Sequence, residues 1–155
     1  YGPGQKILPV KKVVPHFILR ALTNRPIEIY GDGKQVVDLV FVDDVAKAAY
    51  ASMNDIEPTN SEIVEVGSGV ATRVIDLAKT IIALTGSKSK IVLNLPMRVG
   101  ENSGTDVRAN TKEILQLMPL DFSFTLLEEG LKRTIDYYRK LSPEEIQMAL
   151  DFYGL

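Results

Sequence analysis

Apolar side chains at Val74, Leu77, Ala78, Ile81 and Ile82 recur at intervals of three and four, which predicts a helix from about Arg73 to Thr85 that Gly86 ends. The same spacing predicts a helix with Val14, Phe17, Ile18, Ala21 and Leu22 inward, entered with Pro15 in its first turn and stopping near Asn24. A third helix starts at Asp43 or Asp44 and runs to about Met53, with Val45, Ala46, Ala49 and Met53 inward. Asn110 and Glu113 form a cap for a short helix ended by Pro119. Thr125 and Glu128 make a capping-box pattern ahead of Leu127, Leu131, Ile135 and Tyr138. Ser142-Pro143-Glu144-Glu145 repeats that logic before Ile146, Ala149, Leu150 and Tyr153.

Shorter apolar runs read as strands at Ile27 to Tyr30, Val36 to Val42, Glu62 to Val66 and Ile91 to Leu95, with a tight Gly31-Asp32-Gly33 turn between the first two. Residues 1 to 12, rich in Gly, Pro and Lys, read as a loop. Strands alternating with helices predict a mixed α/β domain, and no repeat or low-complexity linker divides it. At 155 residues one domain with its own core is the expectation.

Composition narrows the chemistry. With a net charge of -2, neither nucleic acid nor an anionic membrane is an expected partner. Cysteine is absent and His16 is the single histidine, so thiolate sites and His-rich zinc sites are excluded. The expected compartment is cytoplasmic. A start at Tyr1 rather than Met reads as a processed or excised segment.

Two motif matches fail on chemistry. Gly67-Ser68-Gly69-Val70-Ala71-Thr72 lies where a dinucleotide fingerprint would lie, but Thr72 stands at its third glycine and Asn94, Leu95 and Pro96 stand where a ribose-binding acid is needed. A structural turn is the favoured reading. Tyr30 and Lys34 reproduce a catalytic Tyr-x-x-x-Lys spacing, yet that pair works only one turn apart on a helix, and Gly31-Asp32-Gly33 forbids one. His16 is expected to be a partly buried helix residue. Tyr50, Tyr137, Tyr138 and Tyr153 are expected in the core or at a subunit contact.

Taken in order, Tyr1-Gly2-Pro3-Gly4, the Ile29 to Val45 stretch and Pro96-Met97-Arg98-Val99-Gly100-Glu101 resemble the C-terminal part of the extended short-chain dehydrogenases, the nucleotide-sugar epimerases and dehydratases. The resemblance implies the α/β C-terminal substrate-binding part of such an enzyme, without the N-terminal Rossmann half. Residues 1–140 are then the nucleotide-sugar-binding portion, and 141–155 the C-terminal amphipathic helix of the same domain. The parent reaction it implies is NAD-dependent hydride abstraction at the sugar C4, giving a 4-keto intermediate. NAD would be bound by the missing half, and the catalytic residues would lie upstream of Tyr1. The fragment alone is expected to be inactive. The implied partner is a nucleoside diphosphate sugar, handled by a 4-epimerase or alternatively by a 4,6-dehydratase or a non-catalytic binding relative. Homo-oligomerisation is expected to cover faces left bare.

By resemblance, Arg98 clamps the diphosphate beside Glu101, Ile29 and Tyr30 shape the base pocket, and Val14 and Phe17 lie on the helix that passes the ligand. A guanidinium fork suits phosphate oxygens, and a tyrosine ring offers a face to a base. Two departures stand out. Val37 replaces an arginine that would be a second clamp, and Glu65 replaces an asparagine, putting a carboxylate where it repels a diphosphate unless it turns away. Arg73, Arg108 or Lys11 are the candidate substitutes. Asp38 and Asp43 are expected to order the strand and cap the helix.

Overall fold

The computed structural model describes residues 1–54, 63–96, 104 and 106–154. Helix α1 (Val13–Leu22) buries Val14, Phe17, Ile18 and Ala21 as its spacing predicts and Leu19 in addition, while Leu22 is half-buried. It stops where the Thr23 hydroxyl donates to the Leu19 carbonyl at 2.8 Å and Asn24 takes a left-handed φ of 53°. Asn24 then accepts from the Lys88 amide at 2.8 Å, tying this corner to the approach of a later strand.

Strand β1 (Ile27–Tyr30) pairs in parallel with β4 (Ile91–Leu95), with Ile27 opposite Ile91 and Tyr30 opposite Leu95. Helix α3 (Val74–Thr85) packs Leu77, Ala78 and Ile81 against α1 and ends in a left-handed Gly86, as predicted. Its first amides are satisfied by the turn after β1: Val74 N–H donates to the Gln35 carbonyl at 3.1 Å and Ile75 N–H to the Gly33 carbonyl at 3.0 Å. Strand β2 (Val36–Val37) is the middle of a second small sheet, antiparallel to β3 (Thr72–Arg73) and parallel to β5 (Asp106–Val107).

Helix α2 (Val42–Asn54) meets α4 (Lys112–Leu117) over a satellite cluster of Ala48, Ile114 and Met118, backed by Phe122 and Phe124. Helices α5 (Leu127–Tyr138) and α6 (Pro143–Tyr153) close the main core with Leu131, Ile135, Tyr138, Ala149 and Tyr153. The α6 capping box forms as read, with Glu145 N–H donating to Ser142 Oγ at 3.2 Å and Ser142 N–H donating to Glu145 Oε2 at 2.8 Å.

Five expectations need correction. The Val36 to Val42 run is a strand over two residues only, because beyond Val37 the chain leaves β3 and β5. Past that point Val40 accepts from the Tyr1 nitrogen at 2.9 Å, and Val42 N–H donates to the Tyr1 carbonyl at 2.8 Å. The described part of the Glu62 to Val66 segment, residues 63–66, is not a strand; the strand forms later, at Thr72–Arg73.

Helix α2 turns the other way from its reading. Asp44, Ala48 and Ala51 face inward, while Val45, Ala46, Ala49 and Met53 are exposed. The cause is Asp44, whose buried carboxylate accepts from the Thr125 amide at 2.7 Å and the Thr125 hydroxyl at 3.1 Å. That contact also removes the predicted Thr125 cap, and α5 begins after Leu126 with no side-chain cap. At α4 the N-cap is Thr111, and Asn110 instead accepts from the Lys112 amide at 3.2 Å.

Candidate functional site

Ligands of parallel α/β sheets sit beyond the carboxyl ends of the strands. Here both parallel strands end side by side, at Tyr30 and Leu95. Tyr30 is half-buried at that edge, and its carbonyl accepts from Gln35 Nε2 at 3.0 Å, so the turn that follows is folded back onto the strand end. Within the turn Lys34 N–H donates to Asp32 Oδ1 at 3.0 Å, and the Lys34 ammonium stands 3.3 Å from Asp32 Oδ2. The bond from the Lys34 amide holds the Asp32 carboxyl below its ordinary range. Tyr30 and Lys34 thus lie on a strand end and a turn, and the helical catalytic geometry is absent from this pair.

The other predicted site residues separate into two groups. Val14, Phe17 and Ile29 are 2 %, 3 % and 1 % exposed and belong to the main core, so little of their side chains reaches the surface. Arg98 and Glu101 lie outside the described residues.

Both departures from the family pattern have structural partners. Val37 is half-buried and packs against the main core. Glu65 accepts from the Asn110 amide at 2.7 Å, which holds its carboxylate on the loop before α4. The three substitute cations are also engaged. Arg73 meets Asp76 at 2.6 Å, Arg108 forms a two-pronged pair with Asp106 at 2.8 and 2.9 Å, and the Lys11 ammonium stands 5.8 Å from the Phe152 ring. These contacts are exposed or local, so each cation could exchange its partner for phosphate at small cost.

Asp38 organises a separate cluster of loops. Its Oδ1 accepts from the Ser68 amide at 2.9 Å and the Ser68 hydroxyl at 2.6 Å, and its Oδ2 accepts from the Gly69 amide at 2.8 Å and the Ala109 amide at 3.1 Å. The structural role expected for Asp38 is therefore observed. A Cβ at Gly67 would stand 2.6 Å from Asp38 Oδ2 and 2.5 Å from Ala109 Cβ, which accounts for glycine at that position. The same bonds test the dinucleotide reading. The amides of Ser68 and Gly69 already hold an anion, the Asp38 carboxylate, and no strand leads into residues 67–69, so this loop does not fit the pyrophosphate of NAD.

The Tyr-Gly-Pro-Gly segment is pinned by phenols. Tyr1 donates to the Leu127 carbonyl at 3.3 Å, and burial, aided by Asp44 and Glu129, pushes its phenol up to about 12. Tyr138 donates to the Gln5 carbonyl at 2.9 Å and is raised by burial as well, so both phenols stay protonated at neutral pH. His16 is half-buried, as expected, with Tyr153 stacked on it at 4.7 Å, and its Nε2 accepts from Arg20 Nε at 2.7 Å. Tyr138 and Tyr153 are core residues, whereas Tyr50 is exposed. The burial of Asp44 was not legible in the sequence, where it read only as a helix start, because its partner Thr125 lies 81 positions away; the bond that folds Gln35 back onto Tyr30 had no sequence signal either.

Proteins of known sequence and structure resemble this chain. A family model described as the NAD dependent epimerase/dehydratase family matches residues 1–67. The UDP-N-acetyl-alpha-D-glucosaminuronate decarboxylase of Bacillus cytotoxicus is 35% identical over 148 residues, covering 91% of this chain and 44% of that protein. The dTDP-glucose 4,6-dehydratase of Neisseria gonorrhoeae is 32% identical over 150 residues, covering 89% and 41%. Among solved structures, the UDP-glucose 4-epimerase of Thermotoga maritima with UDP-glucose superposes with a TM-score of 0.78 at 33% identity, over 90% of this chain and 43% of that one. The chain therefore spans less than half the length of the proteins it matches. With the Tyr-Gly-Pro-Gly segment and the β1 to α2 stretch in their expected order, this chain belongs to the NAD-dependent epimerase/dehydratase family and has the α/β fold of its C-terminal portion.

Proposed function

We propose that this chain is the substrate-binding portion of an NAD-dependent nucleotide-sugar epimerase of the 4-epimerase type, acting on a nucleoside diphosphate sugar through a 4-keto intermediate. NAD and the catalytic residues then belong to the part of the relatives that this chain does not span, and the chain alone turns over no substrate. The observation that carries the reading is the shared end of the two parallel strands, which sets Tyr30 beside Leu95. The reading gives the base to the Tyr30 ring and, by the family pattern of the sequence, the diphosphate to Arg98 and Glu101.

The relatives' names support a pyrimidine nucleotide, since they specify UDP or dTDP sugars. They also favour a second reading of the chemistry, because a decarboxylase and a 4,6-dehydratase stand among relatives above 30% identity. All three reaction types need the same nucleotide cradle, which is what this chain would supply. The proposed setting is the cytoplasm, where such activated sugars are made; among the described residues no helix is long and apolar enough to cross a membrane.

Calorimetric titration with UDP-glucose and dTDP-glucose tests the reading. Saturable heat is expected with at least one of them. Tyr30→Ala should weaken binding about tenfold or more, the usual worth of base stacking, while Tyr30→Phe keeps most of it. Absence of heat with either nucleotide sugar at millimolar concentration would make this a docking module instead.

A further inference from the structure

Helices α1 and α3 finish together, where Asn24, just past α1, accepts from the amide of Lys88, just past α3, at 2.8 Å. The two helices pack on each other and have similar lengths, 10 and 12 residues, so their starts also share one end of the molecule. That end is where β1 and β4 stop, because the first amides of α3 bond the Gly33 and Gln35 carbonyls in the turn after Tyr30. The start of α1 therefore lies toward the proposed site.

What holds that start is not its own sequence. Lys12 stands at the N-cap with no side-chain cap, and the first turn carries no acidic residue. The Lys12 amide donates instead to the Tyr153 hydroxyl at 3.3 Å, 141 positions away at the end of α6. The Tyr153 ring lies flat on the His16 ring, with centroids 4.7 Å apart and planes 2° from parallel, and the Lys11 ammonium stands 5.9 Å from it. His16 is in turn fixed by the bond that it accepts from Arg20. Upstream, the Tyr138 hydroxyl donates to the Gln5 carbonyl at 2.9 Å, so the phenols of the last two helices hold both ends of the 5–12 segment.

We infer that, on the nucleotide-sugar reading, Tyr153 is a positioning residue of the site: from the far end of the chain it sets the start of α1 in the arrangement that meets the bound nucleotide sugar. At 5 % exposed, it acts through Lys12 rather than on the substrate. A phenylalanine would fill the same space, and the hydroxyl adds the bond to the amide. Without that bond the 5–12 segment samples other arrangements, only a fraction of chains is ready to bind, and the apparent affinity falls by that fraction.

Tyr153→Phe tests this, because the ring stays on His16 and only the oxygen goes. Calorimetric titration should show it binding UDP-glucose or dTDP-glucose, whichever the natural chain takes, about fivefold more weakly, the usual worth of one hydrogen bond. Hydrogen exchange of the Lys12 amide in the free chain should quicken by a similar factor while the amides of α3 keep their rates, a local change that overall destabilisation does not produce. Equal affinity of Tyr153→Phe and the natural chain would overturn the inference and leave the nucleotide-sugar reading standing. A weaker affinity with faster exchange throughout α3 would also overturn it, because the loss would then be one of overall stability. No binding of either nucleotide sugar by the natural chain would remove the nucleotide-sugar reading, and the role of Tyr153 with it.

Discussion

Replacing Asp38 with alanine is expected to destabilise the chain by about 3 kcal/mol or more, because hydrogen bonds to a charged acceptor contribute about 1.5–3 kcal/mol and stranded amides add to the loss. The carboxylate joins three segments far apart in sequence: the end of β2, the 67–70 turn and the residues after β5. No other side chain contacts all three amides, those of Ser68, Gly69 and Ala109, among the described residues. Asp38→Asn keeps the shape but turns one acceptor into a donor facing N–H groups, so it too should lower the urea midpoint.

The pH dependence separates charge from shape. Burial by itself pushes the Asp38 carboxyl up, but the bonds from the Ser68 hydroxyl and the amides of Ala109, Gly69 and Ser68 outweigh it and hold the group below its ordinary value. The folded chain therefore binds this proton more weakly than the unfolded chain. Its contribution to stability is complete above the unfolded value of about 3.9 and is lost as pH falls through the lowered folded value. The stability gap between the natural chain and Asp38→Asn should be constant from about pH 7 to pH 5 and should narrow below about pH 4. A gap that widens in acid would contradict the assignment.

Gly130→Ala should also destabilise, by about 2–3 kcal/mol, although alanine normally improves a helix interior by about 1 kcal/mol. A Cβ there would run into the Tyr1 hydroxyl and stand 2.8 Å from Phe41 Cδ2 and 2.9 Å from Tyr1 Cζ. Neither ring can step aside freely. Tyr1 is packed edge-on against Phe41 at 5.5 Å, and Phe41 is 1 % exposed beneath the Arg133 guanidinium at 4.6 Å. Urea unfolding should show the loss, and adding Tyr1→Ala to Gly130→Ala should return part of it relative to Tyr1→Ala alone. A more stable Gly130→Ala would mean that Tyr1 does not pack on α5.

The elements that the sequence made legible are those whose physics is local. Helix α3 shows apolar spacing and a terminal glycine, and α6 carries a proline and a reciprocal cap, so both appear where the pattern places them. Where the outcome depends on a distant partner, local pattern misleads. Helix α2 has apolar residues on both sides, and the bond that buried Asp44 accepts from the Thr125 amide, 81 positions away, decides which side is covered. The same contact removed a cap that reads well on paper. The strand predicted over Val36 to Val42 is cut short because its length is set by β3 and β5 rather than by its own residues. For the site, Tyr30 was legible as a strand-end tyrosine, whereas Val14, Phe17 and Ile29 carry an apolar periodicity that cannot distinguish a ligand wall from a core.

The central claim is that the end of the β1 and β4 pair receives the nucleotide of an activated sugar. Titrating isotopically labelled chain with UDP-glucose and following backbone amide resonances tests it most directly. The account predicts saturable shifts concentrated at Tyr30 to Gln35 and around Lys12 to Val14, lost in Tyr30→Ala. Shifts confined to another surface, or none at all, would contradict it.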